Sequence, residues 1–133
     1  MRLSELVEGT RVEAVRGDVE VEIADLAYDS GRVGPGALFF CVRGMSSDGH
    51  EFAPDAVARG AAALVVEREL DLPVPQVVVS DARAAMGPLA VRFWYAVHDR
   101  FRRRERRFVY VGQVLLVHLL DGRLGHFGRE HVL

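Results

Sequence analysis

Two short runs without a polar side chain, Ala37-Leu-Phe-Phe-Cys-Val42 and Ala62-Ala-Leu-Val-Val66, do most to restrict what this chain can fold into. Both are bounded by turn or polar signals and are rich in branched and aromatic residues. That is the pattern of a short strand covered on both faces. Between them Phe52, Ala53, Ala56, Val57 and Ala58 form an apolar stripe at helical spacing, closed by Gly60. Beyond the second run Pro73 and Pro75 mark a turn, and Gln76 to Val79 reads as a further strand. Asp81 is placed to cap a helix running to about Tyr95. Buried strands alternating with helices predict an α/β layered domain with a largely parallel sheet and right-handed crossovers.

The flanking segments are less regular. Ser4 is positioned to cap a short helix over Glu5 to Glu8 that ends at Gly9, and the alternation in Val19-Glu-Val-Glu-Ile-Ala-Asp-Leu26 predicts a half-exposed strand. Gly34-Pro-Gly36 is a turn signal ahead of the first apolar run, and the polar loop Arg43 to His50 follows that run. No internal repeat or low-complexity segment occurs before residue 100. With 133 residues, half of them apolar, the chain can bury one core and has no room for a second full domain.

Charge is unevenly spread. Residues 1 to 95 carry nine Arg against fifteen acids, and the remainder carries eight against four. All 17 basic residues are Arg, so chemistry that needs a lysine is closed to this chain. The single Cys41 has no intrachain partner for a disulfide, which fits a reducing compartment. Met1-Arg-Leu-Ser-Glu-Leu6 has no apolar signal core, and no run approaches the roughly 18 apolar residues of a membrane span. Neither secretion nor membrane insertion is expected on this reading, and the cytoplasm is the expected location.

Tyr28 to His50 reads as a ligand-binding unit made of a turn, a buried strand and a polar loop bounded by Gly44 and Gly49. A loop leaving the carboxyl end of a strand exposes backbone N–H and C=O groups that can read a base edge, and serine hydroxyls can add bonds to ribose or diphosphate. Arg43, beside that loop, can offset phosphate charge through paired donors. Each residue has a plainer reading. Asp29-Ser30-Gly31 can be a side-chain-stabilised turn, Met45 can cover apolar surface, and Asp48-Gly49 can be an ordinary turn. Asp48-Gly49-His50 is read as structural, since no second His, Cys or carboxylate stands at a metal-like spacing from His50.

Asp29-Ser30, Pro35-Gly-Ala-Leu-Phe-Phe40, Gly44, Asp48-Gly-His50, Phe52, Ala56 and Gly60-Ala61, with the strand that follows, resemble the N-terminal domain of the Mur ligases, the MurE type above all. The related MurF ligases share much of this pattern. The resemblance covers roughly residues 20 to 95. It implies a three-layer domain with a small, largely parallel or mixed sheet flanked by helices. It also implies a role in peptidoglycan synthesis: holding the UDP end of UDP-N-acetylmuramoyl-L-alanyl-D-glutamate, to which such ligases add a diamino acid. By the same resemblance the uridine-side contacts fall on Tyr28, Ser30, Met45, Ser46 and Ser47. Members usually show Arg directly after Asp-Ser, whereas here Gly31 intervenes and Arg32 comes one place later.

Complete ligases of this type use ATP and magnesium, held by a Gly-Thr-Asn-Gly-Lys-Thr-like phosphate loop that begins a central ATPase domain. In such loops backbone N–H groups cradle phosphates, a Lys reaches the transferring phosphoryl group and a hydroxyl holds magnesium. Phe108-Val-Tyr-Val-Gly-Gln-Val-Leu-Leu116 can make a strand, turn and helix there, but supplies none of those groups. No catalytic residue, metal or cofactor is therefore expected for this chain alone, which reads as a ligase sequence truncated before its ATP site.

The expected organisation is a UDP-substrate-binding domain over 1–95, an Arg-rich linker over 96–107 and a divergent tail over 108–133. The tail is either strand and helix or poorly ordered. Arg100 to Arg107 places six guanidinium groups in eight residues. Such clusters can bind nucleic acid or acidic lipid, but no recognition motif accompanies this one and a solvated linker is the favoured reading. His118, His126 and His131 lack a metal-ligand spacing. The competing function is a non-catalytic interaction module that has kept the fold, lost the nucleotide and uses the Arg-rich segment on a partner.

Overall fold

The computed structural model describes residues 1–104, with side chains placed through Arg100. Two units are distinguished, a compact one over Met1–Met86 and a second that begins at Gly87. The first contains the five strands found among the described residues: β1 (Ala14–Arg16), β2 (Asp25–Ala27), β3 (Ala37–Phe40), β4 (Ala63–Val66) and β5 (Gln76–Val78). It also contains the helices α1 (Leu3–Val7) and α2 (Ala53–Ala58) and the start of α3 (Ala82–Arg104).

The strands form one sheet in the order β1-β5-β4-β3-β2. β2, β3, β4 and β5 run parallel in chain order, with Ala27 opposite Phe39, Phe40 opposite Val65, and Val66 opposite Val78. β1 lies antiparallel to β5, Ala14 facing Val78, so the sheet is mixed with an antiparallel edge. This is the expected α/β class. The edge strand β1 is the element that the sequence pattern missed, because Ala14-Val-Arg16 is half-exposed and too short to show a period.

Every residue of β3 and β4 is buried, as apolar runs without alternation require. Side chains alternate across a strand, so Ala37, Phe39, Cys41, Leu64 and Val66 share one face and form a core cluster with Ala53 and Ala56 of α2, Ala27, Val33 and Ala61. Leu38, Phe40, Ala63 and Val65 are buried on the other face. Burying each large side chain, such as Phe39 or Leu64, stabilises the fold by roughly 1.5–3 kcal/mol. α2 is entered through a 3-10 turn, Gly49–Phe52, with Pro54 in its first turn, where the missing N–H costs nothing. It ends at Ala58, and Gly60 just beyond turns the chain with a φ of +103° that is open to glycine at little cost.

Three local expectations are corrected. α1 begins at Leu3 and not after Ser4, because the N–H groups of Leu3 and Ser4 are already satisfied by the carbonyls of Val21 and Val19. Glu5 reaches back to the Arg2 N–H at 3.3 Å. Of the alternating segment Val19 to Leu26, only Asp25 and Leu26 join the sheet. Its earlier part bonds to the N-terminal residues, with Ile23 N–H donating to the Met1 carbonyl at 2.8 Å. α3 starts as expected, with Asp81 accepting from the Ala84 N–H at 3.0 Å, but it continues past Tyr95 to Arg104 and takes in the first residues of the Arg-rich segment. Phe108–Leu116 and the three C-terminal histidines lie outside the described residues. Among the described residues no helix is long and apolar enough to cross a membrane.

Candidate functional site

Because β2 to β5 are parallel, the segments that follow them all emerge at one end of the sheet. Tyr28 and Ser30 follow β2, Arg43 to His50 follow β3, Glu67 and Arg68 follow β4, and Asp81 to Arg83 follow β5. The carboxyl ends of parallel strands are where α/β sheets hold ligands. The register that sets Ala27 beside Phe39 makes the Tyr28–Ser30 turn and the Arg43–Ser47 loop exit from neighbouring strands.

Asp29, Ser30 and Gly31 form the side-chain-stabilised turn anticipated from their sequence. The Asp29 carboxylate accepts from the Gly31 N–H at 2.9 Å, and Ser30 to Arg32 make one 3-10 turn. Tyr28, just before it, is 61% exposed. Arg32 is exposed, with Nε 4.0 Å from Asp29. The second segment is a narrow hairpin. Arg43 and Asp48 pair as an antiparallel bridge, and the Gly44 N–H donates to the Ser47 carbonyl at 2.7 Å, leaving Met45 and Ser46 at the apex. Met45 is fully exposed and covers no apolar surface, which removes its plainer reading. Ser46 and Ser47 are exposed as well.

The base of the hairpin is held far more firmly than its tip. The Gly49 N–H donates to the Val42 carbonyl at 2.9 Å, and a Cβ on Gly49 would lie 2.6 Å from both the N and the O of Val42, so only glycine fits there. Asp48 accepts from the His50 N–H at 3.0 Å, meets His50 Nδ1 at 2.6 Å and pairs with Arg68 at 3.3 Å. The His50 side chain is completely buried, and its Nε2 accepts from the Glu67 N–H at 2.9 Å. An Nε2 that accepts carries no proton, so Nδ1 bears it and donates to Asp48. This confirms a structural role for Asp48-Gly49-His50.

The bonds from the His50 N–H and ring, with a smaller contribution from the Arg68 hydrogen bond, lower the Asp48 carboxyl from 3.8 to about 2. Burial pushes the Cys41 thiol up to about 12, with the Asp48 charge adding to it, so that sulfur stays protonated and is no nucleophile at neutral pH. Glu67 extends the network beyond what sequence reasoning found. Its Oε1 accepts from Arg43 Nε at 3.1 Å and its Oε2 from the Ala82 N–H at 2.9 Å, at the first residue of α3. Arg83 Nη2 donates to the Arg43 carbonyl at 3.1 Å. Nothing in the composition of Val-Val-Glu-Arg68 marks Glu67 as special; only the sheet register brings it to the loop.

Comparison with known proteins decides the family. A profile described as Mur ligase family, catalytic domain, matches residues 22–105. The chain belongs to the Mur ligase family. Two of its relatives are named UDP-N-acetylmuramoyl-L-alanyl-D-glutamate--2,6-diaminopimelate ligase. One, from Geobacillus kaustophilus, is 56% identical over 73 residues, covering 55% of this chain and 15% of the relative. The other, from Listeria monocytogenes serotype 4b, is 40% identical over 94 residues, covering 71% and 19%. Among solved structures, MurF from Acinetobacter baumannii superimposes with a TM-score of 0.63 at 28% identity, covering 71% of this chain and 21% of that one. The Mur-ligase resemblance read from Asp29-Ser30 and Asp48-Gly-His50 is thus borne out, with MurE-type relatives over part of their length. The chain spans about a fifth or less of the proteins it matches.

Proposed function

We propose that the Mur ligase unit binds the UDP end of a UDP-N-acetylmuramoyl-peptide, as the N-terminal domain of a MurE-type ligase in peptidoglycan synthesis. The observation that carries this reading is the register of β2 and β3. It makes Tyr28 and Ser30 on one side and Arg43, Met45, Ser46 and Ser47 on the other leave adjacent strand ends, with the hairpin tip exposed above a rigid base. A tip with exposed backbone and hydroxyl groups suits a uracil and a ribose, and arginine beside it suits a diphosphate. The names of the MurE-type relatives contain the same nucleotide-sugar peptide. The proposed location is the cytoplasm, and no nucleic-acid or membrane partner is proposed.

The ATP and magnesium used across the family do not fit the residues present. A phosphate loop needs a lysine for the transferring phosphoryl group, and this sequence contains none. No ligation step is assigned to the chain, and binding is the activity proposed for it.

Calorimetric titration with UDP-N-acetylmuramoyl-L-alanyl-D-glutamate, UDP and ATP tests the proposal, with Ser30→Ala and Ser46→Ala as controls. UDP-containing ligands are expected to bind, more weakly in both variants, and ATP is not. No heat at millimolar ligand from the folded chain refutes the reading and leaves the non-catalytic interaction module in its place. The structural match to MurF favours one second reading, in which the same nucleotide end is bound but the attached peptide carries a diamino acid already, as the diaminopimelate in the name of one such Acinetobacter baumannii ligase indicates. Preference between the two peptide precursors separates these readings.

A further inference from the structure

Glu67 is joined through three separate atoms to three parts of the sheet end. Its N–H donates to His50 Nε2 at 2.9 Å, its Oε1 accepts from Arg43 Nε at 3.1 Å and its Oε2 accepts from the Ala82 N–H at 2.9 Å. Both ends of the hairpin that carries Met45, Ser46 and Ser47 are thereby tied to the end of β4 and the start of α3. The pairing is lopsided in exposure. The Glu67 side chain is 15% exposed, whereas that of Arg43 is 67% exposed. A carboxylate sunk beneath the surface and fixed by a backbone N–H is a rigid anchor for a long, otherwise mobile arginine.

The atom used is informative. Arg43 meets Glu67 through Nε, and among the described residues its two terminal Nη groups make no bond. A guanidinium held by Nε keeps its paired terminal donors for a second anion. The Arg43 backbone is fixed as well, by Arg83 at its carbonyl and by the bridge to Asp48. Side chain and main chain are therefore both set before a ligand arrives, which reduces the ordering cost of binding.

We propose that Glu67 is a positioning residue that orients Arg43 so that its terminal donors meet the diphosphate of the bound nucleotide. This deepens the UDP-binding reading and rests on it. Glu67 would not touch the ligand. Its effect would be selective for the phosphates, because uracil and ribose are read by other groups.

The test measures dissociation constants of the full chain for uridine and for UDP, by NMR shift titration, in wild type, Glu67→Gln, Arg43→Gln and the double variant. Glutamine keeps an oxygen for the Ala82 N–H and removes the charge that holds Arg43. Glu67→Gln is expected to weaken UDP binding about tenfold, the effect of losing one charge-assisted hydrogen bond, and uridine binding less than about twofold. Arg43→Gln should show the same selectivity, and the double variant should bind UDP no more weakly than Arg43→Gln alone. Equal loss for uridine and UDP in Glu67→Gln means that Glu67 merely supports the fold, and overturns the assignment. So does wild-type UDP affinity in Arg43→Gln, which decides the matter even if Glu67→Gln fails to fold. A folded wild-type chain that binds neither ligand overturns the UDP-binding reading beneath it instead.

Discussion

Replacing Gly49 with alanine should damage both the fold and the candidate site, and the structure sets the size of the effect. The added Cβ would lie 2.6 Å from the N and the O of Val42 and 3.1 Å from the carbonyl carbon of Cys41. All three are backbone atoms just past the end of β3, so no side chain can swing away and the hairpin base itself must move. Overpacking of this kind costs about 1–3 kcal/mol. The movement also breaks the 2.9 Å bond from the Gly49 N–H to the Val42 carbonyl, worth about 1 kcal/mol net. The expected loss is therefore about 2–4 kcal/mol, or on the order of 10 °C in Tm for a domain of this size. Urea unfolding followed by circular dichroism, with a common m value, measures it directly. Gly34→Ala is the matched control, since a Cβ there meets nothing within 4 Å, and it should stay within about 0.5 kcal/mol of wild type. A Gly49→Ala protein as stable as the Gly34→Ala protein would refute the claim that backbone crowding fixes glycine at this position.

Other substitutions probe the network and the core separately. The Asp48 carboxyl is held at about 2 in the folded chain against an ordinary 3.8, so its ionised form stabilises the fold above about pH 4, and that stability is lost as the pH falls toward 2. Urea midpoints between pH 7 and pH 2 should therefore fall more steeply for wild type than for Asp48→Asn, and parallel curves would contradict the assignment. His50→Ala removes the acceptor of the Glu67 N–H and a completely buried ring, for an expected loss of about 2–4 kcal/mol by the same assay. Phe39→Ala, in the fully buried strand β3, should cost about 3–5 kcal/mol. Ser46→Ala, at the exposed hairpin apex, should leave Tm unchanged while weakening UDP binding, and a drop in Tm would show that Ser46 supports the fold.

Much of the fold was legible because burial leaves a local trace. The apolar runs at Ala37–Val42 and Ala62–Val66, the Gly60 stop and the Asp81 cap each depend on residues within one turn or strand, and each is found close to its expected place. The failures share a cause. Val19 to Leu26 alternates as a strand does, yet its earlier part bonds to Met1, Leu3 and Ser4 and stays out of the sheet. Alternation reports that one side of a segment is buried and says nothing of its hydrogen-bonding partner. Ser4 is a good cap by type but is not needed as one, because distant carbonyls satisfy the same N–H groups.

The candidate site divides along the same line. The sequence alone determined the α/β class, the polar loop after the buried strand Ala37–Val42, the local role of Asp48-Gly49-His50, and the absence of a lysine for phosphoryl transfer, since these rest on residue type and short spacing. Tertiary structure alone decided that Tyr28 and Ser30 leave a strand beside the one that carries Arg43 to Ser47. It also decided that Glu67 joins His50, Arg43 and Ala82, and that Arg83 clamps the Arg43 carbonyl. Those contacts join residues 15 to 40 positions apart. Such contacts follow from which strands pair and in which register, and that is settled by packing the whole sheet, so no short stretch of sequence encodes them.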